Sequence, residues 1–231
     1  MKKKLGFEIA MVFFALICVV CIGLPSTSSA AGPELSVGAG AAFVPEFEGS
    51  EDYEAFPALF FSAKWPSGYF IKLSGNAIRA NLAPSEVWHV GPVLQYRKKR
   101  DDDVDSKPVS RMREIDETVE GGLFLGFEID NWDASFQWVA DLSDEHDGSL
   151  ATLAGGYSFR MPQMTIRIGV SSTYADDDYM ETYFSVDAKD AIRSGLPKYS
   201  ADSGIKDIGV DLTLRYAMND KWDLMGLLDY T

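Results

Sequence analysis

The chain has 231 residues, and its 35 acidic side chains against 21 Lys and Arg give a formal net charge of −14. This excess of negative charge argues against nucleic acid as a partner, because phosphate binding needs Lys and Arg. It also argues against attachment to an anionic lipid surface by simple charge attraction.

The beginning of the chain is typical of an export signal. Three lysines at residues 2–4 are followed by an apolar run over residues 9–24 and then by small residues. Ala30 stands at a spacing that signal peptidases cleave. The sequence therefore predicts a signal peptide over residues 1–30 and one mature domain over residues 31–231. Both cysteines lie in the predicted signal, so the mature domain is expected to form no disulfide and no thiolate metal site.

Alternation of apolar and polar side chains with period two dominates the chain after residue 31. It is clearest over residues 119–129, 132–141, 164–173 and 208–216. These segments have the length that a tilted strand needs to cross a bilayer. Weaker alternation predicts further strands over residues 35–44, 55–64, 69–82, 87–97, 149–159 and 222–230. The one helical candidate is the segment 187–194, in a loop.

These elements predict an all-β protein, an antiparallel up-and-down transmembrane barrel of about ten to twelve strands. After residue 31 the sequence has no continuous apolar run of 18 residues, which leaves a closed barrel as the way to satisfy backbone groups in lipid. A soluble barrel of the lipocalin type shows the same period with its apolar face inward, so alternation alone leaves that alternative open. Aromatic residues near strand ends favour the membrane, because they form girdles at its interfaces. They are Trp65, Tyr69, Trp88, Tyr96, Trp132, Tyr157, Tyr174, Trp222 and Tyr230.

Loop lengths indicate which end of the barrel faces outward. In the second half, tight turns at residues 130–131, 160–163 and 219–221 alternate with long acidic loops at residues 98–118, 142–148 and 174–206. Outer-membrane barrels have short periplasmic turns and long external loops. In the first half, two successive short turns at residues 66–68 and 84–86 break this alternation. Either the segment 69–82 contains two strands or one early strand is miscounted.

One acidic and aromatic segment is the most specific feature of the chain. Residues 174–184 read YADDDYMETYF, and SGLP at 194–197 and Lys206-Asp207 follow. Other characteristic segments are PEFEGS at 45–50, GPVLQYR at 91–97, IDETVE at 115–120 and GGYSFR at 155–160. In this order they resemble the MltA-interacting (MipA/OmpV-like) family of outer-membrane β-barrels, over essentially all of the mature chain.

The resemblance implies an outer-membrane location and a scaffold that links a lytic transglycosylase to a bifunctional murein synthase. No enzymatic activity, catalytic residue, cofactor or metal is predicted. Family members continue past the position of Tyr230 with another loop and a final strand, so the chain is expected to be C-terminally short. The residues expected to form a functional surface are Asp176, Asp177, Asp178, Tyr179, Met180, Tyr183, Phe184, Lys206 and Asp207.

Two further groups of residues suggest chemistry. Residues 143–149 contain serine, histidine and aspartate, which could form the catalytic set of an outer-membrane lipid hydrolase around His146. A triad is defined by geometry, however, and Asp147-Gly148 is also an ordinary turn signal. The acidic triplets 101–103 and 176–178 lack the alternating spacing of a calcium-binding loop, so solvated loops explain them as well.

Charged residues on the predicted inner face allow two interpretations. They either pair across a filled lumen or line a narrow polar pore, and the filled lumen is favoured because side chains fill much of a barrel of this size. These residues are Glu120, Glu128, Asp133, Arg167, Asp211 and Arg215. The main hypothesis is therefore a scaffold. The alternative is a small channel or an adhesin that acts through the acidic external loops.

Overall fold

A computed structural model describes residues 32–231 in full and residues 15–24 as a backbone strand. Two short helices, α1 (Asp177–Phe184) and α2 (Ala188–Ser194), and a 3₁₀ helix over Val109–Arg111 lie in loops. The strands are β1 (Ala15–Leu24), β2 (Glu34–Pro45), β3 (Tyr53–Lys64), β4 (Phe70–Ser74), β5 (Ala77–Asn81), β6 (Trp88–Arg97), β7 (Thr118–Ile129), β8 (Trp132–Asp141), β9 (Ser149–Arg160), β10 (Met164–Ala175), β11 (Gly204–Ala217) and β12 (Trp222–Tyr230).

From β2 to β12, strands that are consecutive in the chain pair antiparallel. The segment Ala15–Leu24 pairs with both β12 and β2 and closes the ring. The predicted all-β, up-and-down barrel is therefore confirmed. The predicted signal peptide overlaps β1, while residues 1–14 and 25–31 lie outside the described residues, and cleavage of the signal stays a prediction.

The two faces of the wall decide between a soluble and a membrane barrel. Outward side chains such as Leu123 and Leu153 are apolar and 60% and 63% exposed. Their inward neighbours Phe124 and Val139 are buried. Alternate residues of a strand point to opposite faces, so the outer surface is an apolar band. Such a band fits lipid and excludes the lipocalin-like alternative. No helix of the described residues is long and apolar enough to cross a membrane.

The segment 69–82 contains two strands. This confirms the first of the two explanations given above for the irregular turn pattern. A tight turn at Gly75-Asn76 joins β4 and β5, and Gly75 adopts a φ of 60°, which glycine tolerates easily. With this hairpin counted, the long loops 46–52, 98–117, 142–148 and 176–203 all lie at one end of the barrel. The short connections 65–69, 82–87, 130–131, 161–163 and 218–221 lie at the other end. The predicted asymmetry between the two ends is therefore present along the whole chain.

Candidate functional site: a buried cluster beneath α1

The helix α1 is fixed at its start by one carboxylate. Asp176 is its N-cap, and one of its oxygens accepts a hydrogen bond of 3.1 Å from the Tyr179 N–H. The other oxygen accepts hydrogen bonds from the N–H and hydroxyl of Ser149, at 2.8 and 2.7 Å. Burial opposes ionisation of Asp176, but these hydrogen bonds hold its pKa below the usual value. The helix is therefore anchored to the first residue of β9.

The side chains of α1 point into the loop end of the lumen. Tyr179 is fully buried and Tyr183 is 5% exposed, while Met180 and Phe184 pack against the same core. Burial raises the pKa of both tyrosine hydroxyls well above the usual value. The barrel side chains in this core are Val93, Phe124, Val139, Leu150 and Ala175. The helix thus acts as a plug, and we call it the plug helix.

Charged residues lie directly beneath the plug helix. The Arg97 guanidinium donates to Glu120 at 2.7 and 3.1 Å and to Glu48 at 2.7 Å. Its central carbon also lies 5.0 Å from the ring centre of Tyr179 and 5.7 Å from that of Tyr183. The Glu120 side chain is completely buried and that of Arg97 is 14% exposed. A buried charge needs a partner of this kind, and two carboxylates and two aromatic faces surround this cation.

Glu48 connects the loop between β2 and β3 to the plug helix. It accepts a hydrogen bond of 2.8 Å from the Tyr179 hydroxyl and forms an ion pair with Lys206, which also pairs with Asp207. Burial opposes its ionisation, but Lys206 and Arg97 together hold the pKa of Glu48 below the usual value. Glu48, Arg97, Glu120, His146, Tyr179, Tyr183 and Lys206 are called the lumen cluster below.

His146 completes the lumen cluster and does not form a hydrolase triad. Its ring packs edge-on against Tyr179 and Tyr183, at 5.2 and 5.7 Å between ring centres. Its Nδ1 accepts a hydrogen bond from the Gly148 N–H, and its Nε2 lies 3.2 Å from a Glu120 oxygen. The nearby serines are engaged elsewhere, because Ser149 donates to Asp176 and the Ser143 hydroxyl accepts from a backbone N–H. The geometry of acid, base and nucleophile is therefore not assembled here.

The structure brings together only part of the predicted surface. Tyr179, Tyr183, Lys206 and Asp207 meet at the lumen cluster, and Asp176, Met180 and Phe184 hold the plug helix in place. Asp177 accepts a hydrogen bond from the Ser203 N–H, and Asp178 is exposed beside a shallow polar pocket of about 140 Å³. Of the nine predicted residues, Tyr179 and Tyr183 are buried and Asp177 and Asp178 are exposed, while the other five are partly buried.

The remaining inward charges pair along the barrel wall, between strands that are adjacent or two apart. Arg167 donates to Asp133 at 2.6 and 2.8 Å and to Asp211 at 2.6 Å. Arg215 pairs with Asp223, and Glu128 lies near Arg160 at 3.5 Å. The predicted inward charges therefore have partners in the wall, and the choice between a filled lumen and a polar pore at this height stays a prediction.

A group of acidic residues that the sequence did not single out lies at the barrel mouth. Carboxylate oxygens of Glu46, Asp52 and Asp105 lie within 4.8 Å of one another. One Glu46 oxygen accepts a hydrogen bond of 3.0 Å from the Asp105 N–H. Hard cations prefer such oxygen ligands, but Asp52 and Asp105 are exposed, and acidic groups often meet on loops without an ion.

The apolar outer band, the closed antiparallel ring and the loop asymmetry define an outer-membrane β-barrel. The chain belongs to the MltA-interacting protein MipA family, whose model matches residues 37–231. It is also similar to "Putative outer membrane protein YiaT" of Escherichia coli K12, with 23% identity over 218 residues, which cover 92% of this chain and 86% of the relative. The protein of the same name from Escherichia coli O157:H7 is 22% identical over the same shares of both chains.

Proposed function

We propose that the protein is a plugged outer-membrane anchor that holds cell-wall enzymes at its periplasmic end. The observation that carries this proposal is the filled loop end of the lumen, where the plug helix covers paired charges. A barrel closed in this way is suited to presenting a surface, and less suited to passing solutes. The protein is proposed to have no catalytic role of its own, in keeping with the geometry around His146.

The family description names an interaction with MltA, and we extend this to the present chain as a proposal. The partners proposed are a lytic transglycosylase and, beside it, a bifunctional murein synthase. The five short connections at the periplasmic end offer a flat and rigid contact surface. Preorganised surfaces of this kind lose little conformational entropy on binding.

Capture of a purified lytic transglycosylase by the detergent-purified barrel would test the scaffold. A rim variant with Glu86→Lys and Lys221→Glu reverses two exposed charges in the short connections. The matched control, Asp102→Lys, reverses an exposed charge in a long external loop. We expect the wild type and the control to capture the enzyme and the rim variant to capture several-fold less. No capture by the wild type, or equal loss in the control, would contradict the proposal.

A second candidate function is adhesion or conduction through the external end. The four long loops contain 21 Asp and Glu against nine Lys and Arg, so this end is strongly acidic. This negative charge attracts a cationic partner over several ångströms at low salt. Planar-bilayer recordings distinguish conduction from the scaffold. We expect the wild type to remain closed, and steady open-channel currents would favour the channel alternative.

A further inference from the structure

The barrel wall is interrupted on one side of the β4–β5 hairpin. The strands β4 and β5 have five residues each, whereas β3 has twelve and β6 has ten. The Gly75 N–H donates to the Leu59 carbonyl, and Asn76 exchanges hydrogen bonds with the Tyr96 backbone. The hairpin therefore ends level with Leu59 on one side and Tyr96 on the other, well short of the external end of β3.

Beyond this tip, residues 54–58 of β3 pair with β2 but, within the described chain, with no strand on their other side. The gap is bridged at the top, where Lys98 contacts the Glu54 carboxylate and donates to the Glu46 carbonyl at 3.2 Å. Pro57 lies in this unpaired stretch, and proline is typical of a strand edge that is protected from pairing. The result is an opening between β3 and the Arg97–Lys98 segment, which we call the window.

The part of β3 that borders the window exposes side chains on both of its faces. Ala55, Phe56 and Pro57 are exposed in succession, although alternate side chains of a strand point to opposite faces. Phe56 shares its face with Ala58, which is buried in an inner apolar cluster, yet Phe56 is 44% exposed. On the plugged side of the lumen, the inward Phe124 is only 6% exposed. Phe56 is therefore uncovered on the inner face, directly beside the edge of β3 that borders the window.

Below the Lys98–Glu54 ion pair, apolar side chains lie on both sides of the window, with the Lys72 ammonium 5.7 Å from the ring centre of Phe60 on the inner side. Outside it, Leu59, Leu94 and Tyr96 are 54%, 49% and 42% exposed, so this height of the wall faces hydrocarbon. Inside it lies an apolar patch, formed by Ala42, Val44, Phe56, Ala58, Phe60 and Met225. Lipid chains are the molecules that surround the outer opening, and an apolar chain gains contacts by lying on such a patch.

We propose that an acyl chain of a membrane lipid enters the barrel sideways through the window and packs on this inner patch. The patch is formed by β2, β3 and β12, whereas the barrel residues of the plug helix core come from β6 to β10, so the two apolar clusters share no residue. The patch binds its ligand from the bilayer and needs no passage through the external loops. This inference does not depend on the scaffold proposed above.

Site-directed photo-crosslinking tests the window directly. A benzophenone amino acid is placed at position 56, and the barrel is folded into phosphatidylethanolamine vesicles that carry alkyne-tagged palmitoyl chains. Position 59, on the outer face, is the positive control, and position 124, on the plugged inner side, is the negative control. We expect tagged adducts at positions 56 and 59 and at least a fivefold weaker adduct at position 124.

An adduct at position 59 without one at position 56 would overturn the proposal. So would a protein–protein adduct at position 56, because it would show that a second copy covers the window. If the position 56 variant fails to fold, the probe is moved to position 60, which lies on the same inner face four residues further along β3. Absence of a tagged adduct there would count against the proposal equally.

Discussion

The carboxylate of Glu48 lies in the external loop between β2 and β3, yet its partners come from β6, α1 and β11. Arg97, Tyr179 and Lys206 all contact it. Removing one member of a buried ion pair leaves the other charges without compensation, which makes this loop residue more important than its position in the sequence indicates.

We therefore expect Glu48→Gln to lower the free energy of unfolding by about 3 kcal/mol. Urea unfolding of the barrel in detergent, followed by tryptophan fluorescence, measures this change. Glu51→Gln removes an exposed charge in the same loop and is the matched control, with an expected change of less than about 0.5 kcal/mol. Equal effects of the two substitutions on the free energy of unfolding would show that the contacts of Glu48 in the lumen cluster do not stabilise the barrel.

The same carboxylate predicts a dependence of stability on pH. Because its pKa is lowered in the folded barrel, Glu48 contributes fully above its ordinary pKa of 4.5 and loses this contribution as the pH falls through the lowered value. The difference in urea midpoint between wild type and Glu48→Gln should therefore be largest at neutral pH and shrink in acid below pH 4.5. A difference that stays constant down to acid pH would contradict this assignment.

For individual residues, sequence patterns predicted some members of the lumen cluster and missed others. The motif segments supplied Tyr179, Tyr183 and Lys206, because their order resembles a known family. Glu48 and Arg97 lie in other motif segments but were not selected as site residues. Their partners are distant in sequence, since Glu48 and Tyr179 are 131 positions apart. No local sequence pattern predicts such a contact.

Among the elements, the plug helix and the β4–β5 hairpin are those that sequence patterns describe least well. An eight-residue helix offers only about two turns, too few for a clear 3.6-residue period, although Asp176 is a typical N-cap. The helix α2 lies within the predicted segment 187–194. The hairpin was foreseen as one of two explanations for the irregular turns, and the Gly75-Asn76 pair at its tip is a turn signal that would have decided between them. The long strands were predicted because each has one face in lipid and one in the lumen.

Docking of the plug helix depends on a close approach at Gly148. A Cβ atom there would collide with the backbone nitrogen of Tyr179, which cannot move without shifting the helix. Overpacking of this kind costs about 1–3 kcal/mol. We expect Gly148→Ala to make tryptic cleavage at the exposed Lys189 roughly tenfold faster, because cleavage follows the open population.

Gly204→Ala is the control for this prediction, because a Cβ at Gly204 meets nothing within 4 Å. Its cleavage rate should match that of the wild type. If Gly148→Ala also leaves cleavage unchanged, the loop 176–203 is held by something other than the contact between Gly148 and the plug helix.

For the whole molecule, ring closure is the property that is simplest to measure. A closed barrel resists detergent at room temperature and unfolds on boiling, because hydrogen bonds between neighbouring strands run around the whole ring. Since residues 15–24 close the ring, we expect the full-length chain, folded in detergent with these residues retained, to migrate at different positions in a gel before and after heating. A single position under both conditions would mean that the ring is not closed in the isolated protein.

The lumen cluster also has a consequence for the order of folding. Glu48 and Lys206 are 158 residues apart in the chain, so their ion pair forms only after both halves of the barrel have come together. Contacts across such long loops are slow to form, and they come late in folding. Substitutions in the cluster should therefore accelerate unfolding while leaving the folding rate almost unchanged. The plug would then serve as a kinetic lock, which sets how long the assembled barrel lasts and not how quickly it assembles.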